Sequence, residues 1–354
     1  MRFPVARMSA TPSPLSSDRS RDFADQRDLF LPPLIMRNGH VQTLAGTYLF
    51  GRWTGHRVLI PITSTTGEIT LSDGDRLVYH DDCPADWQPG DRVALLLHGL
   101  AGSHLSPYMT RIAGKLNKQK VRTFRLNWRG CGTGMAVARY PYHSGRSEDV
   151  LAMIAELQTR CPNSAINLIG FSMGGNIALK LLGEAGAVSS GTAGIARAVA
   201  VCPPIDLLTT VESLRSGLAS WYDAYFAKEC IRNVRQRQQA NPNAIIPEGW
   251  FSQLPRTMRE FDETFTAPIC GFASSAAYYA RCSANQFLPT IAVPTLVIAA
   301  QDDPVVPYDP FLAAVLSPAI KLKAPRHGGH MGFVSASGPS WLDQQIIDWT
   351  LGCE

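Results

Sequence analysis

The sequence predicts an α/β fold built on a mostly parallel, doubly wound sheet. Three observations lead to this expectation. From Arg57 onward, short and nearly continuous apolar runs alternate with longer stretches that have helical periodicity. Continuous apolar runs are typical of strands that helices cover on both faces. The chain also has 354 residues, of which 45% are hydrophobic, so it can bury a large core.

The predicted parallel strands follow an antiparallel beginning. Segments 68–71 and 77–80 flank Asp73-Gly74, a dipeptide typical of the tight turn between two antiparallel strands. Several of the later segments are nearly continuous apolar runs, and helical stretches lie between them. The predicted strands are 58–62, 68–71, 77–80, 93–97, 121–126, 165–169, 196–202, 294–299 and 320–323.

Helical patterns lie between these strands. We expect helices at about 108–118, 148–159 and 175–182, with Ser147 as the N-cap of the second. A last helix begins at Ser340, and Gly352 stands where a C-terminal cap is expected. The apolar face of that helix consists of Leu342, Ile346 and Trp349.

The alternation of strand and helix stops between Asp206 and about Phe287. A connection of that length inside a compact domain is expected to form helices of its own. No linker or repeat divides the chain, so we expect one domain over residues 29–354 with a helical cap inserted at about 207–287. Four aromatic residues of this insertion fit either a packed cap or an apolar substrate surface: Trp221, Tyr222, Tyr225 and Phe226.

Composition excludes several classes of function. The 33 basic and 29 acidic residues give a net charge of +4, too small to indicate a nucleic-acid partner. The eight cysteines include no C-x-x-C pair, so we expect neither a disulfide framework nor a zinc site.

Residues 1–28 lack apolar periodicity and predict a disordered tail. With no apolar run of transmembrane length and no secretory signal, we expect a cytoplasmic protein without an integral membrane segment. The sequence does not indicate an oligomeric state.

The most informative motif is Gly170-Phe171-Ser172-Met173-Gly174, which lies between a predicted strand and a predicted helix. A G-x-S-x-G sequence in this setting is typical of a sharp turn that exposes a nucleophilic serine. The turn holds the serine in strained backbone angles, and small residues two positions away on either side avoid steric clashes. The motif therefore predicts that Ser172 is a nucleophile.

A serine hydroxyl needs a nearby base, and the base needs a carboxylate to orient it. The loop after the last predicted strand offers two histidines, His327 and His330. Asp302 and Asp303 follow the strand at 294–299, and we favour Asp303 because it directly precedes a Pro-apolar-apolar-Pro turn. Asp206, the third candidate acid, has an alternative role as a helix cap.

An ester-cleaving site also needs two N–H groups that stabilise an oxyanion. The first is expected from Met173, directly after the nucleophile. The second is expected from Leu100, in the loop that follows the strand at 93–97. In the same loop, His98 is interpreted as a residue that fixes the loop and not as a general base.

Together these segments resemble the α/β-hydrolase superfamily and, within it, the YheT-like esterase branch, which is related to eukaryotic α/β-hydrolase-domain lipases. They cover nearly the whole chain from about residue 30. The matching segments are Asn38-Gly39-His40-Val41-Gln42-Thr43, His98-Gly99-Leu100-Ala101-Gly102-Ser103, Asn127-Trp128-Arg129-Gly130-Cys131-Gly132, the serine motif, Phe261-Asp262-Glu263-Thr264-Phe265-Thr266-Ala267-Pro268, Asp302-Asp303-Pro304 and His327-Gly328-Gly329-His330.

The resemblance implies an α/β-hydrolase fold with an inserted cap and a triad of Ser172, Asp303 and His330. It implies hydrolysis of a small-molecule carboxylic ester, with acyl and lipid esters as candidates, through an acyl-enzyme and without a metal or organic cofactor. The alternatives are an acyltransferase of the same fold and a ligand-binding homologue without catalytic activity. No phosphate-binding G-x-x-x-x-G-K-[ST] or zinc-binding H-E-x-x-H motif occurs in the sequence.

Overall fold

A computed structural model describes residues 30–49, 64–187, 194–336, 338 and 340–353. Two sequence predictions, the tail at 1–28 and the strand at 58–62, lie outside these residues. The described part of the chain contains one eight-stranded sheet. Its strands are β1 (Ser64–Thr70), β2 (Arg76–Asp82), β3 (Val93–Leu97), β4 (Arg122–Asn127), β5 (Ile166–Phe171), β6 (Ile195–Val201), β7 (Thr295–Ile298) and β8 (Ile320–Lys323).

The strands lie in the order β1-β2-β4-β3-β5-β6-β7-β8. Strands β1 and β2 pair antiparallel, as does β2 with β4, and every later pair is parallel. At the centre, Leu95 of β3 is in register with Phe124 of β4 and Leu168 of β5. The prediction of a mostly parallel sheet with an antiparallel beginning is confirmed.

Helices cover both faces of this sheet. The α-helices are α1 (Gly39–Leu44), α2 (Pro107–Asn117), α3 (Ser147–Arg160), α4 (Met173–Gly186), α5 (Leu207–Ser213), α6 (Ser220–Ala240), α7 (Met258–Phe261), α8 (Ala267–Ile269), α9 (Ser275–Cys282), α10 (Asp309–Ala313) and α11 (Ser340–Leu351). Helices α3 and α4 pack on one face and α2 and α11 on the other. Alternate residues of β3 divide between the two cores, because successive side chains of a strand point to opposite faces.

One predicted helix start is wrong in detail. Helix α3 begins at Ser147 itself, and the side chain of Ser147 caps no backbone N–H group of the helix. Its hydroxyl donates to Glu184 Oε2 over 2.6 Å and accepts from Lys180 Nζ over 2.9 Å. This contact with α4 satisfies the hydroxyl, which explains why the local capping pattern does not form. The predicted end of α11 is confirmed, since Gly352 follows it with φ +77°.

Residues 207–290, named here the helical insertion, connect β6 to β7. They contain α5 to α9, a π-helical turn at Asp262–Thr266 that joins α7 to α8, and 3₁₀ turns. The insertion has an apolar cluster of its own, which includes Trp250, Phe261 and Phe265. None of the described helices has the length and apolar character needed to cross a bilayer.

Candidate active site

Ser172 lies at the turn between β5 and α4. Its backbone has φ 50° and ψ −118°, a strained conformation for a residue with a side chain. The turn is tight because glycines allow close backbone approach: a Cβ at Gly170 would overlap the carbonyl oxygen of Gly174, and a Cβ at Gly174 would lie 2.5 Å from Leu97 O. The small residues of the motif therefore have the steric function that the sequence indicates.

His330 joins Ser172 to Asp303 by two hydrogen bonds. Its Nε2 lies 3.0 Å from Ser172 Oγ, and its Nδ1 lies 2.9 Å from Asp303 Oδ2. Because a carboxylate only accepts, Nδ1 carries the proton, and the lone pair of Nε2 faces the serine hydroxyl. The Asp303 side chain is 2% exposed and that of His330 11%, so water competes little for either contact.

The two adjacent aspartates have different partners. The second oxygen of Asp303, Oδ1, accepts from the N–H groups of Val305 and Val306 over 2.8 and 2.9 Å. Asp302 Oδ1 accepts from the backbone N–H of Gly329 over 2.9 Å. His327 Nδ1 lies 3.5 Å from Asp302 Oδ2. The geometry thus brings Asp303 and His330 to Ser172 and leaves Asp302 and His327 beside each other.

The remaining candidates lie in structural positions. Asp206 caps α5 by accepting from the N–H of Thr209 over 2.9 Å. His98 is fully buried, and its Nδ1 lies 2.8 Å from Gly99 O while its Nε2 accepts from the N–H of Trp128 over 3.3 Å. Burial lowers the pKa of His98 to about 4. These contacts fit the interpretation of His98 as a residue that fixes the loop.

Leu100 and Met173 lie with Ser172 along one cavity. The N–H groups on either side of Leu100 are occupied: Gly99 donates to the hydroxyl of Tyr108 and Ala101 to that of Tyr142, each over 3.0 Å. Within the described part of the chain, the N–H groups of Leu100 and Met173 donate to no protein acceptor. Two unpaired donors beside a serine hydroxyl are able to bind an oxyanion.

One cluster of described residues has side chains grouped closely enough to hold a metal ion: Cys202, Asp303 and His330, whose ligand atoms lie within 4.8 Å of one another. Burial and the neighbouring Asp303 raise the pKa of the Cys202 thiol well above its usual value. A neutral thiol is a weak metal ligand, since the thiolate is the form that binds.

The cavity has a volume of about 340 Å³ and reaches from Ser172 and His330 into the helical insertion. The cavity is lined by the four aromatic residues for which the sequence allowed either a packed cap or an apolar substrate surface: Trp221, Tyr222, Tyr225 and Phe226. They also pack on each other, and the rings of Trp221 and Tyr225 stack 5.6 Å apart. The same side chains therefore pack on each other and line the cavity.

A carboxyl group also lines this cavity. Asp262, in the π-helical turn of the insertion, lines the cavity and accepts from Thr266 Oγ1 over 2.7 Å and from the Tyr279 hydroxyl over 2.8 Å. Burial raises the pKa of Asp262 to about 6. The resemblance included this residue in a matching segment, but sequence spacing alone gave no indication that it reaches the cavity.

Sequence reasoning missed three residues that contact the backbone of the site. Thr43 accepts from the N–H of His330 over 2.8 Å, and Tyr108 and Tyr142 fix the loop around Leu100. Only the resemblance drew attention to the segment that contains Thr43. No local pattern marks a hydroxyl that binds a backbone group far away in the chain.

Comparison with known proteins finds several relatives by sequence. YheT of Escherichia coli (strain K12) is 30% identical over 325 residues, which are 90% of this chain and 92% of YheT. YheT is named as an esterase by provisional assignment. Two proteins of Saccharomyces cerevisiae, medium-chain fatty acid ethyl ester synthase/esterase 2 and monoacylglycerol lipase, are each 28% identical over 73% and 75% of this chain. The chain spans 61% and 60% of the lengths of these two.

Solved structures share the fold. The esterase Pf2001 of Pyrococcus furiosus superposes with a TM-score of 0.56 at 19% identity, over 85% of this chain and 95% of its own. The family model of the α/β-hydrolase fold matches residues 93–337, which is more than half of the chain. From this match and the near full-length similarity to YheT, we conclude that the protein belongs to the α/β-hydrolase family, in the branch that includes YheT.

Proposed function

We propose that the protein is a serine hydrolase that cleaves carboxylic esters through an acyl-enzyme on Ser172. The observation that carries this proposal is the unbroken series of hydrogen bonds from Asp303 through His330 to Ser172 at the wall of a cavity. The esterases and lipases among the relatives support the same reaction class.

In the first step, Ser172 Oγ attacks the ester carbonyl while His330 Nε2 takes its proton. Asp303 holds the imidazole in the required tautomer and stabilises its positive charge. The carbonyl oxygen becomes an oxyanion, to which the N–H groups of Leu100 and Met173 donate. The protonated His330 then gives its proton to the leaving alcohol, which departs and leaves the acyl group on Ser172.

In the second step, a water molecule takes the place of the alcohol. His330 removes its proton as the water attacks the acyl-enzyme, and the same N–H groups stabilise the second oxyanion. Collapse of this intermediate breaks the bond to Ser172 Oγ, which recovers its proton from His330. The products are a carboxylic acid and the free enzyme, so the reaction balances without a cofactor.

The cavity supports an acyl chain as the group next to the carbonyl. Its insertion side is largely apolar, with Leu207, Val211 and Leu214 beside the aromatic residues. Burial of methylene groups there contributes about 0.8 kcal/mol per group, which favours longer acyl chains until the cavity is full. The yeast relatives are named for medium-chain fatty acid ethyl esters and for monoacylglycerol, which are esters of this kind.

Acyl transfer to an alcohol is the second candidate function. One yeast relative is named as both a synthase and an esterase of ethyl esters. The two reactions share the acyl-enzyme and differ only in whether water or an alcohol attacks it. The fate of the acyl group in the presence of an alcohol therefore distinguishes them.

The test is hydrolysis of p-nitrophenyl esters, from acetyl to long-chain acyl, by the wild type, Ser172→Ala and His330→Ala. We expect turnover by the wild type and loss of nearly all activity in both variants. Assays with added ethanol then separate the two functions, since a transferase forms ethyl ester in preference to free acid. A wild type that is inactive on every ester, or an active Ser172→Ala, would contradict the proposal.

A further inference from the structure

Helix α1 lies outside the residues that the family model matches, which begin at residue 93, yet it contacts the loop that carries His330. The helix is short and starts at a clear cap: Asn38 Oδ1 accepts from the N–H groups of His40 and Val41. Its buried residues are Gly39, Gln42 and Thr43. All three belong to the Asn-Gly-His-Val-Gln-Thr segment, to which the proposed reaction assigns no role.

Thr43 makes the contact nearest to the chemistry. Its Oγ1 accepts from the backbone N–H of His330 over 2.8 Å and donates to the carbonyl oxygen of Gly39 over 2.7 Å. The second bond fixes the hydroxyl on its own helix, so the acceptor lone pair points at the loop. The residue that supplies the proposed base is therefore hydrogen-bonded through its main chain to α1.

Gln42 holds the far end of the same loop. Its Oε1 accepts from the N–H of Val334 over 2.6 Å, and its Nε2 donates to Val334 O over 3.0 Å and to Met36 O over 2.7 Å. The side chain is fully buried. An amide that pairs with both backbone groups of one residue fixes the position of that residue much as a neighbouring strand would.

The backbone of α1 also lies against the turn that carries Asp303 and the loop that carries His330. A Cβ at Gly39 would overlap the carbonyl oxygen of Asp302, next to Asp303. A Cβ at Gly329 would overlap the carbonyl oxygen of Gly39. The first turn of α1 is thus wedged between the turn that carries the carboxylate and the loop that carries the imidazole.

The loop needs such support because its own backbone is strained. Four residues around His330 have positive φ angles: Gly328 (152°), Gly329 (55°), Met331 (59°) and Phe333 (43°). Positive φ is unfavourable for Met and Phe, which have a Cβ, and such strain persists only where surrounding contacts enforce it. Loop residues 328–333 therefore keep their conformation through the internal hydrogen bond from Phe333 N–H to Gly328 O, 3.0 Å long, together with contacts made from outside the loop.

We propose that α1 is a positioning element for His330, and that the Thr43 hydroxyl is the positioning residue which sets the imidazole between Asp303 and Ser172. The inference rests on the proposed function, since it concerns the base of that reaction. Thr43 also lines the cavity, but its hydroxyl acts on the reaction through the His330 backbone and takes no part in proton transfer. Its loss lowers the rate of the chemical step and leaves ester binding nearly unchanged.

The test compares Thr43→Val, which keeps the shape and removes the hydroxyl, with Thr43→Ser, which keeps the hydroxyl. Thr159→Val is the matched control, because Thr159 is exposed on α3 and its hydroxyl likewise donates to a carbonyl one turn back, that of Ala155. For each full-length variant, kcat and KM on a p-nitrophenyl ester, the rate of fluorophosphonate labelling and the Tm are measured.

We expect Thr43→Val to lower kcat by roughly 10- to 100-fold with KM within about twofold, since small displacements of a reacting group have effects of this size. Thr43→Ser should recover most of the kcat, and Thr159→Val should match the wild type. A wild-type kcat in Thr43→Val overturns the inference, as does an equal loss in Thr43→Ser. If Thr43→Val does not fold, Gln42→Met replaces it in the test, because this substitution removes the hydrogen bonds to Val334. We expect the same loss of kcat in Gln42→Met, and a wild-type kcat overturns the inference.

A spectroscopic readout separates this inference from the proposed function. The proton on His330 Nδ1, in its hydrogen bond to Asp303, gives a far-downfield NMR resonance that requires no turnover. We expect this resonance to broaden or vanish in Thr43→Val and to remain in Thr43→Ser and Thr159→Val. An enzyme inactive on all esters contradicts the proposed function alone, whereas an unchanged resonance in Thr43→Val overturns the role of Thr43.

Discussion

Asp302 and Asp303 are adjacent in the chain, yet their carboxylates hold different parts of one loop. Asp303 Oδ2 lies 2.9 Å from the Nδ1 of His330, and Asp302 Oδ1 accepts from the backbone N–H of Gly329 over the same distance. One carboxylate thus contacts the imidazole, and the other contacts the main chain one residue earlier. Substitutions at the two positions should therefore have different effects.

We expect Asp303→Asn to lower kcat by about 10,000-fold, because an amide in place of the carboxylate favours the wrong imidazole tautomer. Asp302→Asn is the matched control: its Oδ1 still accepts from Gly329, so kcat should fall by less than about tenfold. Steady-state kinetics on one p-nitrophenyl ester measures both. A larger loss in Asp302→Asn than in Asp303→Asn would show that Asp302 is the functional acid.

The strained turn at Ser172 predicts a difference in stability between two glycine substitutions. Gly170→Ala should lower the free energy of unfolding by roughly 3 kcal/mol, because its Cβ overlaps the carbonyl oxygen of Gly174. Gly134→Ala should change it by less than about 1 kcal/mol, since the nearest atom to that Cβ, Trp128 O, lies 3.5 Å away. Urea unfolding measures both values. Equal stability of the two variants would contradict this account of the turn.

Buried histidines predict a loss of stability in acid. Burial lowers the pKa values of His80 and His98 to about 4, whereas an unfolded chain binds these protons below about pH 6.5. Acidification from pH 6.5 toward 4 therefore favours the unfolded state. Asp262 acts in the opposite direction: its pKa is raised to about 6, so its unfavourable contribution shrinks as pH falls.

Burial also lowers the pKa values of His104 and His143 and raises those of Asp149 and Asp223, and we expect the four imidazoles to outweigh the three carboxyls. We expect the free energy of unfolding to fall by roughly 2 kcal/mol between pH 7.5 and pH 5, measured by urea unfolding. His80→Gln, which cannot titrate, should reduce this difference. A stability that stays constant or rises on acidification would mean that these imidazoles are not buried in their neutral form.

The cavity predicts that acyl-chain preference depends on the helical insertion. Val211 lines the cavity and is 8% exposed, so a larger side chain there must occupy space that an acyl chain would use. We expect Val211→Phe to lower kcat/KM for long-chain relative to acetyl esters by about tenfold, in line with the effect of single methylenes in apolar pockets. Hydrolysis of the p-nitrophenyl series gives this ratio. An unchanged chain-length profile would place the acyl group elsewhere.

Local patterns predicted most of the central fold. Strands β3 and β8 have the predicted bounds, 93–97 and 320–323. Strand β3 is buried along its whole length and leaves a continuous apolar run in the sequence, whereas the edge strand β8 alternates apolar residues with lysines. The serine turn was equally accessible, since its steric needs restrict residue types within five positions. Ser147 was misplaced as a cap because its hydroxyl bonds to Glu184 and Lys180 of another helix, a contact that local pattern does not encode.

Local patterns did not decide between neighbouring candidate residues in the site. Sequence spacing left His327 beside His330 and Asp302 beside Asp303, and only family resemblance and a turn pattern favoured one of each. The structure separates them by their partners, since Asp303 contacts His330 and Asp302 contacts the backbone of Gly329. Thr43 was beyond sequence reasoning, because 287 positions separate it from the N–H group that it accepts from.

The most direct test of the central claim is the site of reaction with a fluorophosphonate, located by mass spectrometry of the digested protein. We expect one adduct, on the peptide that contains Ser172, and none in Ser172→Ala. Labelling in His330→Ala should be slower by orders of magnitude, since the serine then lacks its base. An adduct on a different residue, or ester hydrolysis by a wild type that stays unlabelled, would contradict the assignment of Ser172 as the nucleophile.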